Sequence, residues 1–311
     1  MPAAATVVPV PRDRDASALV PLAARTAILA WYDARGRSLP FRASRDPYEI
    51  LVSETMAQQT QIARAAEKWT GFVRTFPTFA ALAAAAPADV LRAWRGLGYN
   101  RRAVNLRRAA IAVVEEHGGR LPAEPDELER LPGVGPYTAR AVAAIAFRRP
   151  VGAVDTNVRR VLSRVAGADG TMPPRELQRL ADAVVPADRA ADWTHAVMDV
   201  GATFCRSRRP ACAECPVKPW CRFSAASVAT QPGPRPRNIA RSTAFPTTSR
   251  WLRGRILERL RDAHRDAWTV FDEPIGAHDE VAVAAALVAL ERDGLVERDV
   301  AAPLRARLPL R

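Results

Sequence analysis

Apolar residues recur at spacings of three and four from about Ala23 to Ala202, in stretches such as TAILAWYDARG, YEILVSETMAQQ and RRAVNLRRAAIAVVEEHGG. This period places the apolar side chains on one face of an α-helix. Prolines and glycines interrupt the pattern at GRSLPF, FPTF, GRLPAEP and LPGVGP, where helices are expected to end and begin. The pattern predicts an all-α core of many short helices.

Composition divides the 311 residues into four segments. Residues 1–22 are rich in Ala, Pro and Val without periodicity and predict a disordered tail. Residues 23–222 form the helical core, and residues 223–250 form a Pro/Arg/Ser-rich linker of the semi-rigid kind. Residues 251–311 predict a small C-terminal α+β module with a helix, a short extended piece, a second helix and a two-stranded wing, an arrangement that resembles a winged helix.

The net charge of +13 favours a polyanionic partner, with nucleic acid ranking before a membrane. This preference is modest, because arginine supplies nearly all the charge and GC-rich coding would also produce that bias. The start, MPAAATVVPVPRDRD, lacks the basic segment and apolar core of a secretory signal. The apolar run VAVAAALVAL is too short to span a bilayer. We therefore expect a soluble, cytoplasmic, nucleoid-associated protein that does not bind membranes.

All four cysteines lie within residues 205–221, with the spacing C-x6-C-x2-C-x5-C. In a reducing compartment this cluster favours a metal site over two disulfides. Zinc sites usually combine two C-x2-C pairs, and only Cys212 and Cys215 form one here. Four thiolates from one loop also suit a [4Fe–4S] cube, which places iron–sulfur modestly ahead of zinc. Between the first two cysteines lie three arginines that would offset cluster charge or face a phosphate backbone: Arg206, Arg208 and Arg209.

The stretch LPGVGPYTARAVAAIAF predicts a tight hairpin followed by a helix. Gly133 and Gly135 permit the turn, and Pro136 suits the first turn of the helix. Backbone amides at such a helix start bind anions, which for a basic protein suggests a DNA phosphate. The alternative is an ordinary glycine-containing turn between two helices.

Two carboxylates are candidates for catalysis. Glu54 lies in an otherwise apolar helical pattern, where a lone carboxylate is usually exposed on the other face; if Glu54 is buried, its pKa should rise and it becomes a candidate acid. The polar run QQTQ begins four residues after it, at Gln58. Asp155 precedes a predicted helix, so capping of that helix is the simpler interpretation of this residue.

Taken in order, LPFR, SETMAQQTQ, WRGLGYN, LPGVGPYTA, VDTNVRRV, MDVGA and the cysteine spacing resemble the endonuclease III superfamily of helix–hairpin–helix DNA glycosylases. Within it, the chain resembles the A/G-specific adenine DNA glycosylases (MutY type) over about residues 24–222. The resemblance implies two all-α subdomains, a flipped-out base and a [4Fe–4S] cluster held by Cys205, Cys212, Cys215 and Cys221.

The resemblance also implies roles for three residues. Glu54 donates a proton to the adenine, and Asp155 stabilises the sugar cation. Tyr137 stands where bifunctional relatives carry a nucleophilic lysine, which implies a hydrolase without strong AP lyase activity. Thymine-mismatch relatives share this tyrosine but lack the glutamate followed by QQTQ.

The remaining implied site residues contact DNA. Arg42 lines the adenine pocket, although Phe41 replaces the family's usual Trp. Asn157 supports Asp155 and the substrate phosphate. Asn100 replaces the second tyrosine of the family's GLGYY, and His195 is interpreted as structural. The residues expected around the opposite purine are Gln58, Gln59, Thr60, Leu97, Gly98 and Tyr99.

We therefore predict a monomeric adenine DNA glycosylase that acts on double-stranded DNA containing A:8-oxoG or A:G mispairs. Two alternatives are a thymine glycosylase for T:G mismatches and a non-catalytic iron–sulfur DNA-binding protein. The C-terminal module is too short for the larger domain that usually checks the 8-oxo group in this family. The module is then expected to help to hold DNA. Discrimination between 8-oxoguanine and guanine opposite adenine is expected to depend more on Gln59, Thr60, Leu97 and Tyr99.

Overall fold

The computed structural model describes residues 16–168, 172–223 and 244–311, which form two compact units. The first, here called the cysteine unit, comprises residues 16–38, 123–125 and the described part of 136–233. The second, called the glutamate unit, comprises residues 39–122, 126–135 and 244–311. Most of the predicted tail and of the predicted linker lies outside the described residues.

The cysteine unit is a helical bundle formed by α1 (Ala16–Leu19), α2 (Leu22–Arg35), α9 (Pro136–Ala146), α10 (Thr156–Val165), α11 (Pro174–Ala183) and α12 (Ala190–Thr203). Helix α12 packs against α2, α9 and α10. Its Gly201 permits close approach, because a Cβ atom there would lie 2.5 Å from the Cβ of Asn157. The start of α10 is thereby held against the end of α12.

A buried ion pair fastens α12 to the segment after α2. Asp199 is fully buried, and Arg37 donates to its carboxylate from Nε over 2.7 Å and from the backbone N–H over 3.0 Å. A buried carboxylate requires such partners, since an unpaired charge is costly away from water. Asp199 and Gly201 of the MDVGA motif therefore have structural roles in this unit.

The glutamate unit contains a 3-10 turn (Pro40–Arg42) and the helices α3 (Pro47–Ala57), α4 (Ile62–Thr75), α5 (Phe79–Ala84), α6 (Pro87–Ala93) and α7 (Arg101–His117). The short helix α8 (Pro125–Leu128) precedes the predicted hairpin. Helix α7 packs against α3, α5 and α6. Edge-to-face aromatic pairs fill the core, with ring centroids 5.7 Å apart for Phe72 and Trp94 and 4.9 Å apart for Tyr48 and Phe79. These contacts fix α3, which carries Glu54.

The C-terminal module contains α13 (Ser249–Asp262), α14 (Glu280–Arg292) and three short strands, β1 (Thr269–Val270), β2 (Glu297–Arg298) and β3 (Arg305–Arg307). The antiparallel sheet has the order β1-β3-β2. Strands β2 and β3 form the predicted two-stranded wing, and β1, in the extended piece predicted between the helices, pairs with β3 as a third strand. The all-α core and the small α+β module are confirmed.

The module belongs to the same compact unit as α3 to α7. Its first helix begins at Ser249, where the Thr248 hydroxyl accepts a hydrogen bond from the N–H of Trp251 over 3.2 Å. This start lies inside the predicted linker, because the capping hydroxyl precedes the apolar pattern that marks the helix in sequence. No helix among the described residues is long and apolar enough to cross a membrane.

Candidate active site and cysteine loop

Glu54 lies in the most deeply buried helix of the glutamate unit. The Asp46 carboxylate caps α3 by accepting the N–H of Tyr48 over 2.8 Å, and Pro47 occupies the first turn. Every residue from Ile50 to Met56 is buried. Glu54 retains 9% of its possible exposure, so it is buried rather than exposed on the opposite face of the helix, which is the condition that makes it a candidate acid.

Two turns near this helix hold side chains in the left-handed region. Gln59 has φ 52° in the turn at 58–60, called the glutamine turn, and Tyr99 has φ 45° in the turn at 96–100, called the tyrosine turn. Gln59 is exposed and Tyr99 is 43% exposed. A non-glycine residue in this region costs about 1 kcal/mol or more, and such strain occurs often at functional sites. Both side chains are thus exposed, and the strained backbone of each turn requires stabilising contacts from neighbouring residues.

Leu97 differs from the other residues expected around the opposite purine, because only 5% of it is exposed. Its side chain anchors the tyrosine turn in the core, and its contact with the opposite purine stays a prediction. Gly98 follows with φ 67°, and its carbonyl accepts hydrogen bonds from Trp94 and Arg102. The exposed surface of the turn is supplied by Tyr99.

Arg102, at the start of α7, joins both turns to the end of α3. Its Nη1 and Nη2 atoms lie 2.5–3.1 Å from six oxygen acceptors, namely the carbonyls of Thr55, Met56, Gln58, Leu97 and Gly98 and the Thr60 hydroxyl. Its guanidinium carbon also lies 5.4 Å from the Trp94 ring centroid and 5.8 Å from that of Tyr99. Only the planar, fork-shaped guanidinium supplies enough donors for such a set.

Burial lowers the pKa of Arg102 to about 10, which leaves the group positively charged at neutral pH. Arg102 was not predicted from sequence as a structural residue, because no pattern around GLGYNRR distinguishes a buried arginine from an exposed one. Its acceptors lie 4 to 47 positions away along the chain, so only the folded structure identifies it.

Asp155 occupies a different environment, at the N-terminus of α10 in the cysteine unit. Its Oδ1 atom accepts the N–H of Val158 over 2.7 Å, which confirms the predicted capping, and its Oδ2 atom accepts Asn157 Nδ2 over 2.9 Å. The expected support of Asp155 by Asn157 is therefore present as a direct hydrogen bond. Both contacts, together with the helix dipole, stabilise negative charge at this position.

Arg160 extends this network toward the cysteine loop. Its Nη2 atom donates to Asn157 Oδ1 over 2.7 Å and to the Gly201 carbonyl over 2.9 Å, while its Nε donates to the Cys205 carbonyl. The side chain that supports Asp155 is thus itself held by a residue that also holds the first cysteine. This link was not predicted from sequence.

Tyr137 lies in the first turn of α9, and its hydroxyl is 3.8 Å from the sulfur of Met198 on α12. The preceding hairpin has the expected backbone, because Gly133 has φ 79° and Val134 N–H bonds to the Leu131 carbonyl over 3.1 Å. A side chain at Gly133 would also meet Asn105, whose Cβ would be 2.6 Å away. The hairpin geometry is confirmed, and its contact with a DNA phosphate stays a prediction, as does that of Gly135.

All four cysteines are free and partly buried in one loop. Burial raises the pKa of the Cys215 thiol to about 11, and the neighbouring Cys205, Cys212 and Cys221 add to the rise. Burial also raises the pKa of Cys221, which Arg164 opposes. Among the described residues, no three His, Cys, Asp or Glu side chains converge as they would around a single metal ion.

Arg164 supports this loop from α10. Its Nη1 atom lies 3.4 Å from Cys205 Sγ and 2.9 Å from the Arg206 carbonyl, and its guanidinium stacks 4.2 Å from the Phe223 ring. Four free thiols from one loop, beside the buried cation of Arg164, are the residue types that a thiolate-bound group of net negative charge requires. The donor set therefore fits a four-cysteine cluster.

The three arginines between the first two cysteines are all exposed, namely Arg206, Arg208 and Arg209. In the glutamate unit, Arg42 lies half-buried in the 3-10 turn beside α3. Phe41, which replaces the family's usual Trp, is buried with its ring centroid 6.1 Å from that of Trp69. The smaller ring thus retains an aromatic packing role.

The structure divides the predicted site residues between the two units. The glutamate unit holds Arg42, Glu54, both turns, Gly133 and Gly135. The cysteine unit holds Tyr137, Asp155, Asn157, the four cysteines and the exposed arginines. His195 lies buried on α12 with its ring 6.4 Å from that of Tyr32, as its structural interpretation requires.

The chain is similar in sequence to known families and proteins. Residues 52–187 match the HhH-GPD superfamily of base excision DNA repair proteins. The adenine DNA glycosylase of Mycolicibacterium smegmatis is 39% identical over 274 residues, which cover 87% of this chain and 92% of that protein. The adenine DNA glycosylase of Mycobacterium tuberculosis (strain CDC 1551 / Oshkosh) is 41% identical over 280 residues, which cover 88% and 90%.

Among solved structures, a thermostable thymine-DNA glycosylase superimposes with a TM-score of 0.61 at 29% identity, covering 64% of this chain and 94% of that chain. The two mycobacterial matches, of 274 and 280 residues, are longer than the predicted core at 23–222 and so include part of its flanking segments. The match covers nearly the full length of both relatives. On these grounds the chain belongs to the adenine DNA glycosylases of the HhH-GPD superfamily.

Proposed function

We propose that the protein is a monofunctional hydrolase that removes adenine paired with 8-oxoguanine or guanine in double-stranded DNA. The observation that carries this proposal is the pair of carboxylates in contrasting environments. Glu54 is buried in the apolar helix α3, and Asp155 accepts two N–H donors at the start of α10. A protein that only binds DNA has no need for such a pair.

The reaction requires the adenine to leave the base stack, at a cost of a few kcal/mol. Glu54 then gives a proton to N7 while the bond between C1′ and N9 breaks and its electrons leave with adenine. The carboxylate of Asp155 stabilises the positive charge that develops on the sugar. Water adds to C1′ and loses a proton, which leaves an abasic site.

The surroundings of each residue support its role. Glu54 is shielded from solvent, as suits a group that must hold a proton until the base is in place. Asp155 is oriented through its bonds to Val158 and Asn157, and Arg160 in turn fixes Asn157. The positioning of Asp155 thus depends on several contacts within its own unit.

The proposed absence of strong AP lyase activity rests on Tyr137. A lyase needs an amine that attacks C1′ to form a Schiff base, and the phenol of Tyr137 cannot form one. The chain contains only two lysines, Lys68 and Lys218. This scarcity of amines supports hydrolysis without strand cleavage.

We further propose that Cys205, Cys212, Cys215 and Cys221 hold a [4Fe–4S] cluster. When bound, the cluster would cross-link the loop through four iron–thiolate bonds. Arg164, beside Cys205, would offset part of its negative charge. Arg206, Arg208 and Arg209 would then be displayed on a rigid loop toward DNA phosphates.

The decisive assay measures base release under single-turnover conditions from A:8-oxoG, A:G and T:G duplexes in parallel. We expect alkali-labile product from the first two duplexes and none from T:G. Product from T:G alone would instead support a thymine glycosylase, the activity named for the structural neighbour. Tight duplex binding without product from any duplex would support a non-catalytic binding protein.

The cluster is tested by metal analysis of anaerobically purified protein. We expect about four irons per chain and a broad visible absorbance, since a cube contains four irons. A matched control replaces Cys212 by Ser, which should lower the iron content. Zinc without iron would contradict the cluster assignment and leave the glycosylase proposal to the duplex assay.

A further inference from the structure

The tyrosine turn is held by a helix far from it in sequence. Arg261 of α13 donates to the Asn100 side chain across 161 positions of the chain. We propose that the C-terminal module positions the tyrosine turn and thereby sets how strongly the enzyme discriminates the base opposite adenine. This inference rests on the proposed function and deepens it, because it gives Arg261, Asn100 and Arg250 positioning roles in opposite-base selection.

Arg261 is a buried cation with three well-defined partners. It donates from Nε to the Leu91 carbonyl over 2.9 Å, from Nη1 to Glu258 Oε1 over 3.2 Å and from Nη2 to Asn100 Oδ1 over 2.7 Å. Only 8% of Arg261 is exposed. Release of Asn100 would leave a buried N–H donor of Arg261 without this acceptor, which is costly, so the contact restrains the end of the turn.

Asn100 is the last residue of the tyrosine turn and stands directly before α7. Asparagine at this position commonly caps a helix through its side chain, yet here no such capping bond forms. The amide oxygen accepts from Arg261 instead. The end of the turn is therefore attached to the module.

Tyr99, the exposed residue of the turn, is also contacted from α13. The guanidinium of Arg250 lies 4.4 Å from its ring centroid, within the range of a cation–π interaction. Tyr99 has φ 45° and depends on its surroundings to keep this conformation. Arg250 supports the ring, while Arg102 supports the backbone just before it through the carbonyls of Leu97 and Gly98.

The helix that makes these contacts is itself anchored. Arg95, just after α6, forms ion pairs with Asp262 over 2.5 Å and with Glu258 over 3.4 Å. The N–H of Ala88 on α6 bonds to the Pro309 carbonyl over 2.8 Å. The module is thus docked on the helix that leads into the tyrosine turn, and it can influence opposite-base selection without touching the base.

A double-mutant cycle tests the proposal on the full-length protein. The variants are Arg261→Lys, Asn100→Ala and the combination, with Arg255→Lys as a matched control because Arg255 is exposed on the same helix. Lysine keeps the charge at position 261 but loses the fork that reaches both Leu91 and Asn100. Burst amplitude reports the fraction of active protein, so a loss of folding is separated from a change in rate.

We expect each single variant to lower the ratio of the A:8-oxoG rate to the A:G rate by about fivefold, a size typical of modest coupling between sites. The combined variant should fall no further, because both changes remove the same hydrogen bond. Arg250→Ala should lower the ratio less, by about twofold, since an exposed cation–π contact is weak. A ratio unchanged in both Asn100→Ala and Arg261→Lys would overturn the proposal.

Amide hydrogen exchange of residues 96–100, measured by mass spectrometry, supplies a readout that does not depend on catalysis. We expect faster exchange there in Arg261→Lys and wild-type exchange in Arg255→Lys. Unchanged exchange in Arg261→Lys would overturn the positioning role even if no adenine were released. Failure of the wild-type protein to release adenine from any duplex would instead refute the proposed function.

Discussion

Glu54 and Asp155 carry the same functional group in opposite surroundings. Glu54 lies within a helix whose residues from Ile50 to Met56 are all buried. Asp155 stands at a helix N-terminus, where Val158 and Asn157 donate to both of its oxygens. The proposed roles of proton donor and stabilising anion therefore depend on environment rather than on residue type.

The two regions also differ in how they are held in place. Asp155 is positioned by hydrogen bonds from residues that follow it directly in sequence, and Arg160 reinforces them. The end of the Glu54 helix depends on Arg102, which joins it to the tyrosine turn far along the chain. Local hydrogen bonds therefore build the Asp155 region. The Glu54 region depends instead on the long-range hydrogen bonds of Arg102, here called the Arg102 clamp.

Replacing the buried acid Glu54 should have the largest effect on activity. Glu54→Gln keeps the shape of the side chain but removes its proton, so adenine release should fall about 10³-fold, as expected for loss of a general acid. Duplex affinity should stay near wild type. The control is Glu49→Gln on the same helix, which should retain activity. Near-normal turnover by Glu54→Gln would remove this residue from the mechanism.

Removing the charge of the second carboxylate should reduce turnover about 10²-fold, in the range measured for electrostatic stabilisers of a transition state. Asp155→Asn keeps the capping oxygen, and asparagine caps nearly as well as aspartate, so the melting temperature should change little. Asp46→Asn is the matched control, because Asp46 caps α3 in the same way. Full activity of Asp155→Asn in a single-turnover assay would refute the electrostatic role.

Breaking the clamp should affect the Glu54 region and leave the Asp155 region intact. Arg102→Lys keeps a positive charge but has too few donors for six acceptors, so the rate should fall about tenfold. The free energy of unfolding should fall by about 2 kcal/mol, since buried acceptors lose their partners. Both are measured by single-turnover kinetics and denaturant titration.

Arg101→Lys provides the control, because the side chain of Arg101 is 67% exposed and lies 3.7 Å from Asp293 in a surface ion pair. Equal effects of the two substitutions would show that charge alone matters at the start of α7. A stable but tenfold slower Arg102→Lys would support a positioning role.

The exposed arginines of the cysteine loop should contribute to affinity rather than to chemistry. Replacing Arg206, Arg208 and Arg209 by Gln should flatten the log–log salt dependence of duplex binding by about 0.9 for each phosphate that is no longer neutralised. A charge-matched control replaces Arg35, Arg74 and Arg120, which are exposed elsewhere. Equal flattening in both proteins would show that net charge alone sets the slope.

The smallest expected effect is a gained activity. Tyr137→Lys places an amine at the start of α9 and should yield a minor covalent adduct with DNA, trapped by borohydride. Tyr137→Phe is the control and should yield none. Strong trapping by the wild-type protein would implicate Lys68, Lys218 or the N-terminus and refute the monofunctional assignment.

The residues that sequence identified correctly are those whose signal is local. The position of Asp155 before a helix predicts its capping bond, whereas the apolar run around Glu54 left open whether that carboxylate is buried or exposed. The helical period and the Pro/Gly breaks predict the all-α core. The extended piece between the two C-terminal helices was also predicted, but its pairing with β3 was not, because two residues carry too little pattern to indicate a partner strand.

The clamp by Arg102, the Arg164 contact with Cys205 and the bond from Arg261 to Asn100 were decided only by tertiary structure. Each joins residues that are far apart along the chain, or acceptors on backbone carbonyls that every residue possesses. In an arginine-rich chain, no sequence pattern distinguishes the few guanidinium groups that become buried. The sequence alone thus determined the helices, the two carboxylates and the cysteine loop, whereas packing determined which cations hold them in place, because a buried charge is stable only where the fold supplies its partners.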